Sequence, residues 1–248
     1  MSSKFYIRAG WDDAPHLGTE EKDKMLASCE PHLREARSQG IPSMGSGSVY
    51  PVLERDLVVQ EAIRLKPWWR RCAGFDVGYR WNAVIWGAHD TDTDILYIYD
   101  LYLKGQADPE VHASAIRRRD PKGMKIPIAI DPASKGRSQI DGRNLLQMYR
   151  KEGLALVPAD NAVESGIQEV YARMVSQRLK ILENPNTEAL LRELRTYRRD
   201  EQGRIVNKSD YHCCDALRYL VMTGLKIGKP IPQDTEFAHV TGSVNYGI

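Results

Sequence analysis

Three consecutive strand-like segments near the middle of the chain constrain its fold more than any other feature. They lie at residues 72–78, 82–88 and 95–101 and are rich in β-branched, aromatic and small apolar residues. Turn-forming residues, including the acidic stretch at residues 90–94, separate them. Connections this short join neighbouring strands in opposite directions, so the pattern predicts an antiparallel three-stranded meander.

The segments after the meander alternate between helix and strand patterns. The order β-β-β-α-β-α-β-α predicts an α/β fold, a mixed sheet with helices on its faces. A last helix is predicted to start near residue 209, with Ser209 or Asp210 as its N-cap, and to end at about residue 225. In chain order, the segments before it are a helix at residues 109–118, a strand at 126–130, a helix at 141–152, a strand at 154–157 and a helix at 163–179.

The chain before residue 70 has a different character. A helix is predicted from Thr19, and residues 40–48 are typical of a flexible connector because glycine, serine and proline dominate them. We therefore expect three parts: an N-terminal helical and linker segment at residues 1–69, a folded domain at residues 70–226 and a flexible tail at residues 227–248.

Composition excludes several classes of protein. The 19 glycines and 13 prolines are close to ordinary globular usage, which excludes collagen-like and wholly disordered chains. No apolar run reaches the roughly 18 residues of a membrane span, and the first residues lack a signal-peptide core, so we expect a soluble intracellular protein with no membrane partner. The four cysteines show no C-x-x-C spacing, which favours reduced thiols over a zinc or redox site.

Basic residues are clustered although the net charge is only +2. Residues 117–125 and residues 192–204 each hold five lysines or arginines. Clusters of this density could bind phosphates, although a solvated helix or hairpin surface has the same composition.

Three aspartates stand where apolar residues are expected. Asp76 interrupts the first strand, Asp131 directly follows the strand at residues 126–130, and Asp215 lies early in the last helix. In a sheet covered by helices, these positions could converge on one point, where the carboxylates would repel one another unless a cation neutralised them. An oxygen-only cluster suits Mg²⁺ or Mn²⁺ and is typical of a two-metal phosphodiesterase site.

Each aspartate also has a structural interpretation. An aspartate beside a glycine at a strand end is typical of a turn, and Asp215 alone would complement the helix dipole. The occurrence of all three in order favours the metal site.

Short motifs surround the three aspartates in the same order. They are Gly-Phe-Asp-Val-Gly at residues 74–78, Ala-Ile-Asp-Pro-Ala at 129–133 and Asp-Tyr-His-Cys-Cys-Asp-Ala-Leu-Arg-Tyr at 210–219. Together they resemble the nuclease domain of the large terminase subunit of tailed double-stranded DNA bacteriophages, whose final signature is an Asp-Ala-Leu-Arg-Tyr run. The resemblance covers about residues 70–226. It implies an RNase H-like fold, in which parallel strands join the meander, and a metal-dependent endonuclease that cleaves concatemeric viral DNA during genome packaging.

The resemblance also assigns roles to individual residues. Asp76, Asp131 and Asp215 match the family's metal-binding acids, which would hold Mg²⁺ or Mn²⁺, with two ions expected. His212 resembles an auxiliary catalytic residue one helical turn before the last acid, and Asp210 is a further candidate for the same shell. A purely structural role for His212 remains an open alternative.

Seven basic residues are expected to contact DNA through its phosphates. One group follows the second acid in a loop rich in serine and glycine, and the other lies around a predicted β-hairpin at residues 200–203. In chain order they are Lys135, Arg137, Arg143, Arg198, Arg199, Arg204 and Lys208.

The first 69 residues are similar to the linker and the end of the motor domain that precedes the nuclease in large terminases. The phosphate-binding G-x-x-x-x-G-K-[ST] loop is absent, so we expect no ATPase site in this chain. The resemblance implies double-stranded DNA, the portal protein, the small terminase subunit and the motor domain of the same full-length chain as partners. It implies the host cytoplasm, at the procapsid portal, as the location.

Two other functions share parts of this pattern. A Holliday-junction resolvase or a transposase would use the same acidic triad, and junction-selective cleavage or strand-transfer products would favour it. A docking module of the packaging motor would keep the fold with vestigial acids, and failure to bind Mn²⁺ with an intact fold would favour that alternative.

Overall fold

The computed structural model describes residues 10–27, 38, 47–78, 80–135 and 144–232. These residues form two compact units. The smaller unit comprises the described residues up to Asp56 together with Arg195–Val206, and the larger unit comprises Leu57–Leu194 and the described residues from Asn207 onward. Most of the predicted connector at residues 40–48 and of the predicted tail lies outside the described residues.

Within the described residues, the larger unit is built on a seven-stranded mixed sheet with the strand order β1-β7-β4-β3-β2-β5-β6. Strands β2, β3 and β4 form the predicted antiparallel meander, and the other strands join it in parallel. The predicted mixed α/β sheet is therefore confirmed. The strands are β1 (Val58–Val59), β2 (Arg70–Val77), β3 (Asn82–Asp90), β4 (Ile95–Lys104), β5 (Ile128–Ile130), β6 (Leu156–Pro158) and β7 (Leu179–Leu182).

Helices flank this sheet. The last of them continues through a π-helical segment, Leu220–Gly224, into a short final helix. Among the described residues, no helix has both the length and the apolar character needed to cross a lipid bilayer. Over both units, the α-helices of the described residues are α1 (Thr19–Ala27, in the smaller unit), α2 (Glu54–Leu57), α3 (Pro109–Arg117), α4 (Leu145–Lys151), α5 (Val163–Val175), α6 (Glu188–Thr196), α7 (His212–Tyr219) and α8 (Leu225–Ile227).

Strand β2 contributes side chains to both faces of the sheet. Because side chains alternate along a strand, Ala73 and Phe75 enter a hydrophobic core with residues of α3 and α4, such as Ile116 and Tyr149. Asp76 lies on the opposite face, the face on which α7 packs. The alternation of side chains along β2 thus places the core residues on one face of the sheet and Asp76 on the other.

The structure differs from the sequence prediction after α5. The helix predicted at residues 163–179 ends at Val175, and Leu179 instead begins β7, which was not predicted. Gln177 adopts a left-handed conformation, with φ of 60°, which turns the chain back toward the sheet. A short buried strand lacks the alternation of polar and apolar residues that identifies a strand. Its apolar residues therefore fitted the spacing of the preceding helix and were predicted as part of it. Helix α6 was also not predicted.

An ion cluster joins the turn between β3 and β4 to α5. Asp94 accepts hydrogen bonds from His89 at 2.8 Å, Arg178 at 2.6 Å and Arg173 at 3.1 Å. Arg173 belongs to α5, and Arg178 directly precedes β7. Since β3 runs antiparallel to β2, this cluster lies at the sheet edge opposite the one where β2 ends.

The smaller unit contains the predicted hairpin. Arg199 pairs with Ile205 in antiparallel fashion, and Gly203 closes the turn with φ of 77°. Tyr50 packs against Tyr197 with ring centroids 5.6 Å apart. The chain therefore reverses direction where the sequence predicted that it would.

Candidate active site

Asp76 and Asp131 lie at the carboxyl ends of two neighbouring parallel strands, β2 and β5. Phe75 is in register with Ile130, and the Asp131 backbone N–H donates to the Phe75 carbonyl oxygen at 2.9 Å. The two aspartates consequently stand side by side at one edge of the sheet. Crevices outside the carboxyl ends of parallel strands are common ligand sites in α/β proteins.

Helix α7 brings His212 and Asp215 to this edge. It packs directly on β2, where a Cβ at Gly74 would lie 2.0 Å from the Ala216 carbonyl oxygen, so a side chain at position 74 would clash with the helix backbone. His212 and Asp215 are three residues apart and share one face of the helix. His212 Nδ1 lies 2.8 Å from Asp76 Oδ2, within hydrogen-bond distance.

Asp76 is buried, with 8% of its surface exposed. Its pKa is raised above the ordinary value, mainly because burial removes water from the carboxylate. The hydrogen bond with His212 opposes this rise, whereas the negative charges of Asp215 and Asp131 add to it. The three predicted acids therefore share one acidic environment.

The pKa of His212 is raised in turn. The largest cause is the hydrogen bond with Asp76, and burial of the ring opposes it. The charges of Asp76, Glu193 and Asp215 favour the protonated imidazole further. This places a readily protonated group beside the most buried of the three aspartates.

Asp215 is paired with a buried arginine. Arg218 donates to Asp215 Oδ1 through Nη2 at 2.7 Å and through Nε at 3.2 Å. Its guanidinium also lies 4.5 Å from the centre of the Tyr219 ring. Arg218 thus offsets part of the negative charge at the site, a role that sequence reasoning missed although the residue lies inside the third motif.

The described residues contain no set of three histidine, cysteine, aspartate or glutamate side chains already gathered as ligands for one metal ion. Asp76 forms a hydrogen bond with His212, and Asp215 accepts one from Arg218. The oxygen donors are nevertheless of the type that binds hard divalent cations.

The N-cap predicted for the last helix is wrong. Ser209 and Asp210 belong to a 3₁₀ turn, Lys208–Asp210, and Asp210 is exposed. Tyr211 precedes the helix and makes no side-chain cap hydrogen bond. The chain turns sharply after Asn207, which has a left-handed conformation, and this displaces both predicted caps from the helix start.

Glu193 of α6 supplies the missing cap. Its Oε2 accepts hydrogen bonds from the backbone N–H groups of Cys213 at 2.8 Å and Cys214 at 3.0 Å. Burial raises the pKa of Glu193, and hydrogen bonds from Cys213 and Cys214 partly oppose that rise. Sequence reasoning missed this residue because its partners lie 20 and 21 residues further along the chain, in another helix.

The predicted DNA-contacting residues fall into three places. Lys135 ends the 3₁₀ turn that follows Asp131, and Lys208 lies in the exposed turn before α7. Arg137 and Arg143 lie outside the described residues. The remaining three belong to the hairpin of the smaller unit: Arg198, Arg199 and Arg204. Arg199 donates to the Gly203 carbonyl oxygen and Arg204 pairs with Asp200, so both contribute to the turn itself.

A mixed sheet with a three-stranded antiparallel meander, flanking parallel strands and acidic residues at the ends of β2 and β5 defines an RNase H-like fold. The family model described as Terminase RNaseH-like domain matches residues 79–223, and the chain belongs to this family. The resemblance inferred from the three motifs is confirmed.

Known relatives agree with this assignment. The large terminase subunit of Enterobacteria phage LP7 is 32% identical over 230 residues, which are 86% of this chain and 45% of that protein. The chain therefore spans less than half the length of this relative. The nuclease domain of the P22 large terminase has a TM-score of 0.65 and 26% identity, covering 76% of this chain and 97% of that domain.

A more distant structure shares the fold. The large terminase nuclease of the thermophilic phage G20c, solved with bound magnesium, has a TM-score of 0.51 and 16% identity. The match covers 71% of this chain and 96% of that chain.

Proposed function

We propose that the larger unit is a metal-dependent endonuclease that cuts concatemeric viral double-stranded DNA during genome packaging. The observation that supports this most directly is the acidic environment shared by Asp76, Asp131 and Asp215 at the ends of β2 and β5. Membership of the terminase family supports the role in packaging. The fold alone would serve many functions, so the argument depends on the site.

The three aspartates would hold Mg²⁺ or Mn²⁺, and we infer two ions. Their oxygen atoms are the donors that such hard cations prefer. A cation would also relieve the burial and like-charge repulsion that raise the pKa of Asp76. Arg218 bonds to Oδ1 of Asp215, which leaves Oδ2 as the oxygen for a metal ion. Ions held by these residues would supply activation of a water molecule for attack on phosphorus and stabilisation of the departing 3′ oxygen.

His212 would act beside the metal-binding acids. When both ring nitrogens carry protons, Nδ1 donates to Asp76 and Nε2 is the atom that could donate to a phosphate oxygen. The raised pKa of His212, caused first by its bond to Asp76, favours this doubly protonated form. We therefore assign His212 to orienting Asp76 and to proton donation.

DNA would be held by basic residues on both sides of the acids in the sequence. Lys135 follows Asp131 within one turn, and Lys208 precedes α7 within one turn. Contacts of this kind bind the phosphate backbone and carry no sequence information. Five arginines complete the set that we propose for DNA contact, namely Arg137, Arg143, Arg198, Arg199 and Arg204.

The partners proposed for the full-length chain are those of a packaging motor. They are double-stranded DNA, the portal protein, the small terminase subunit and the motor domain that precedes the nuclease. We place the protein at the procapsid portal in the host cytoplasm. The relatives named as large terminase subunits are about twice as long as this chain, which supports a further domain in the intact protein.

Substitution of Asp131 tests the proposed activity. Wild-type protein incubated with plasmid and Mn²⁺ should nick and linearise the DNA, and Asp131→Asn should lower the rate by about 100-fold or more because a ligand oxygen is lost. Asp92→Asn is the matched control, since Asp92 is exposed in the turn between β3 and β4 at the opposite sheet edge.

Three outcomes would contradict the proposal. Cleavage by Asp131→Asn at the wild-type rate would remove Asp131 from the site. Preference for four-way junctions over linear duplex would indicate a resolvase. A folded wild-type protein that binds no Mn²⁺ in calorimetry would indicate a docking module.

A further inference from the structure

The start of helix α7 depends on a side chain from another helix. The first hydrogen bond within α7 runs from the Asp215 N–H to the Tyr211 carbonyl oxygen at 3.1 Å. The N–H groups before it have no acceptor within the helix itself. Tyr211 gives no side-chain cap, and Glu193 accepts from Cys213 and Cys214 instead.

We propose that Glu193 is a positioning residue of the nuclease site, which fixes the first turn of α7 and thereby sets where His212 and Asp215 stand relative to Asp76. This inference rests on the proposed function, because it concerns the same three acids. The proposal does not require Glu193 to contact the substrate or the metal ions.

The geometry supports control of position. One oxygen, Oε2, accepts from two consecutive N–H groups, which restricts both the rotation and the axial shift of the first turn. His212 directly precedes this pair of residues and Asp215 directly follows it. Both site side chains therefore project from the turn that Glu193 holds.

Glu193 itself has a rigid support. Three leucines of α6 that surround it in the sequence, Leu190, Leu191 and Leu194, are each no more than 1% exposed. The carboxylate is thus carried by a helix whose apolar face is fully packed. A rigid support matters because a misplacement of about 1 Å in a catalytic group can lower a rate by about 100-fold.

A carboxylate at a helix N-terminus also stabilises the helix through its charge alone. Two conservative variants separate charge from reach. Glu193→Asp keeps the charge but withdraws the carboxylate by one methylene, so it cannot reach both N–H groups. Glu193→Gln removes the charge but keeps an acceptor oxygen at the same position.

The experiment measures two quantities for the wild type and both variants. Amide hydrogen exchange at Cys213 and Cys214 reports the cap, and calorimetric Mn²⁺ affinity reports the placement of the acids. Glu193→Asp should exchange faster at both amides and bind Mn²⁺ about 10-fold more weakly, the size of effect typical of residues that orient metal ligands. Glu193→Gln should stay close to the wild type in both quantities.

Asp94→Asn is the control for a general loss of stability. It removes a carboxylate from the ion cluster at the opposite sheet edge, so it should lower stability while Mn²⁺ affinity stays at the wild-type value. If Glu193→Asp failed to fold, Glu193→Gln would decide whether Glu193 acts by position. A loss of Mn²⁺ affinity in Glu193→Gln would show that the charge of Glu193, and not its reach to the two N–H groups, affects the site.

The remaining outcomes distinguish this inference from the proposed function. Faster exchange with unchanged Mn²⁺ affinity in Glu193→Asp would overturn the positioning role and leave the nuclease proposal intact. Unchanged exchange would overturn the cap itself. Absence of Mn²⁺ binding by the wild type would overturn the proposed function, and the positioning role would fail with it.

Discussion

Arg218 is the residue whose role differs most from what its motif implied. It is 2% exposed and bonds to Asp215, so it places a positive charge beside one of the three carboxylates. Burying an arginine is costly unless its charge is paired, and here each group of the pair compensates the other. A metal cation bound by the acids would also compensate their negative charge.

We expect Arg218→Met to lower the free energy of unfolding by about 2 kcal/mol, because Asp215 loses its partner inside a partly buried acidic site. Added Mn²⁺ should restore part of the loss, so the increase in melting temperature that Mn²⁺ produces should be larger than in the wild type. Thermal unfolding with and without Mn²⁺ measures both effects.

Arg204→Met provides the comparison for this variant. Its ion pair with Asp200 is largely exposed, with 75% of the arginine side chain accessible, and exposed pairs contribute little. Equal stability of Arg218→Met and the wild type would contradict the role assigned to Arg218.

The ion cluster at Asp94 acts at the scale of elements, since it connects the β3–β4 turn, α5 and the start of β7. Desolvation is the largest influence on its pKa and raises it, but the hydrogen bonds from His89, Arg178 and Arg173 together outweigh it and lower the pKa to about 2. A carboxylate with a lowered pKa stabilises the folded state above its unfolded pKa. This contribution is lost as the pH falls toward 2.

We therefore expect the wild type to exceed Asp94→Asn in stability at neutral pH and the difference to shrink between about pH 4 and pH 2. The Asp94 side chain is 40% exposed, so solvent screening limits the neutral-pH difference to about 1 kcal/mol. Urea unfolding of both proteins at several pH values measures it. A difference that stays constant down to pH 2 would contradict the assignment.

Sequence patterns predicted the elements whose signals are local. The meander was predicted because β2, β3 and β4 follow one another with short turns, and the acids were predicted as site residues because each sits in a short motif. Strand β7 was missed because a four-residue buried strand has no alternation. Glu193 was missed because its role depends on α6 and α7 meeting in space, which no local pattern encodes.

At the scale of the whole molecule, the small net charge makes the position of basic residues decisive for the proposed DNA binding. Lys208 precedes α7 near the acids, whereas Lys122 lies in the connection that leads to the opposite end of β5. Both lysines are exposed. Replacing either lysine by glutamate changes the net charge of the protein by the same amount.

We expect Lys208→Glu to weaken DNA binding and to lower the slope of log affinity against log salt by about 1, because a phosphate contact is lost. Lys122→Glu should have a smaller effect on both quantities. Fluorescence anisotropy with labelled duplex at several salt concentrations measures the affinities. Equal behaviour of the two variants would mean that overall charge, and not position, governs binding.

The alternation along β2 has a consequence for how this chain tolerates length changes. A single deletion within the strand before Asp76 would send the aspartate into the packed interior and present Phe75 to the acids, while Gly74 would no longer lie beneath α7. A molecule with that error would lose its hydrophobic core and its group of acidic side chains together. The register of β2 therefore ties the placement of the proposed site residue Asp76 to correct packing of the hydrophobic core.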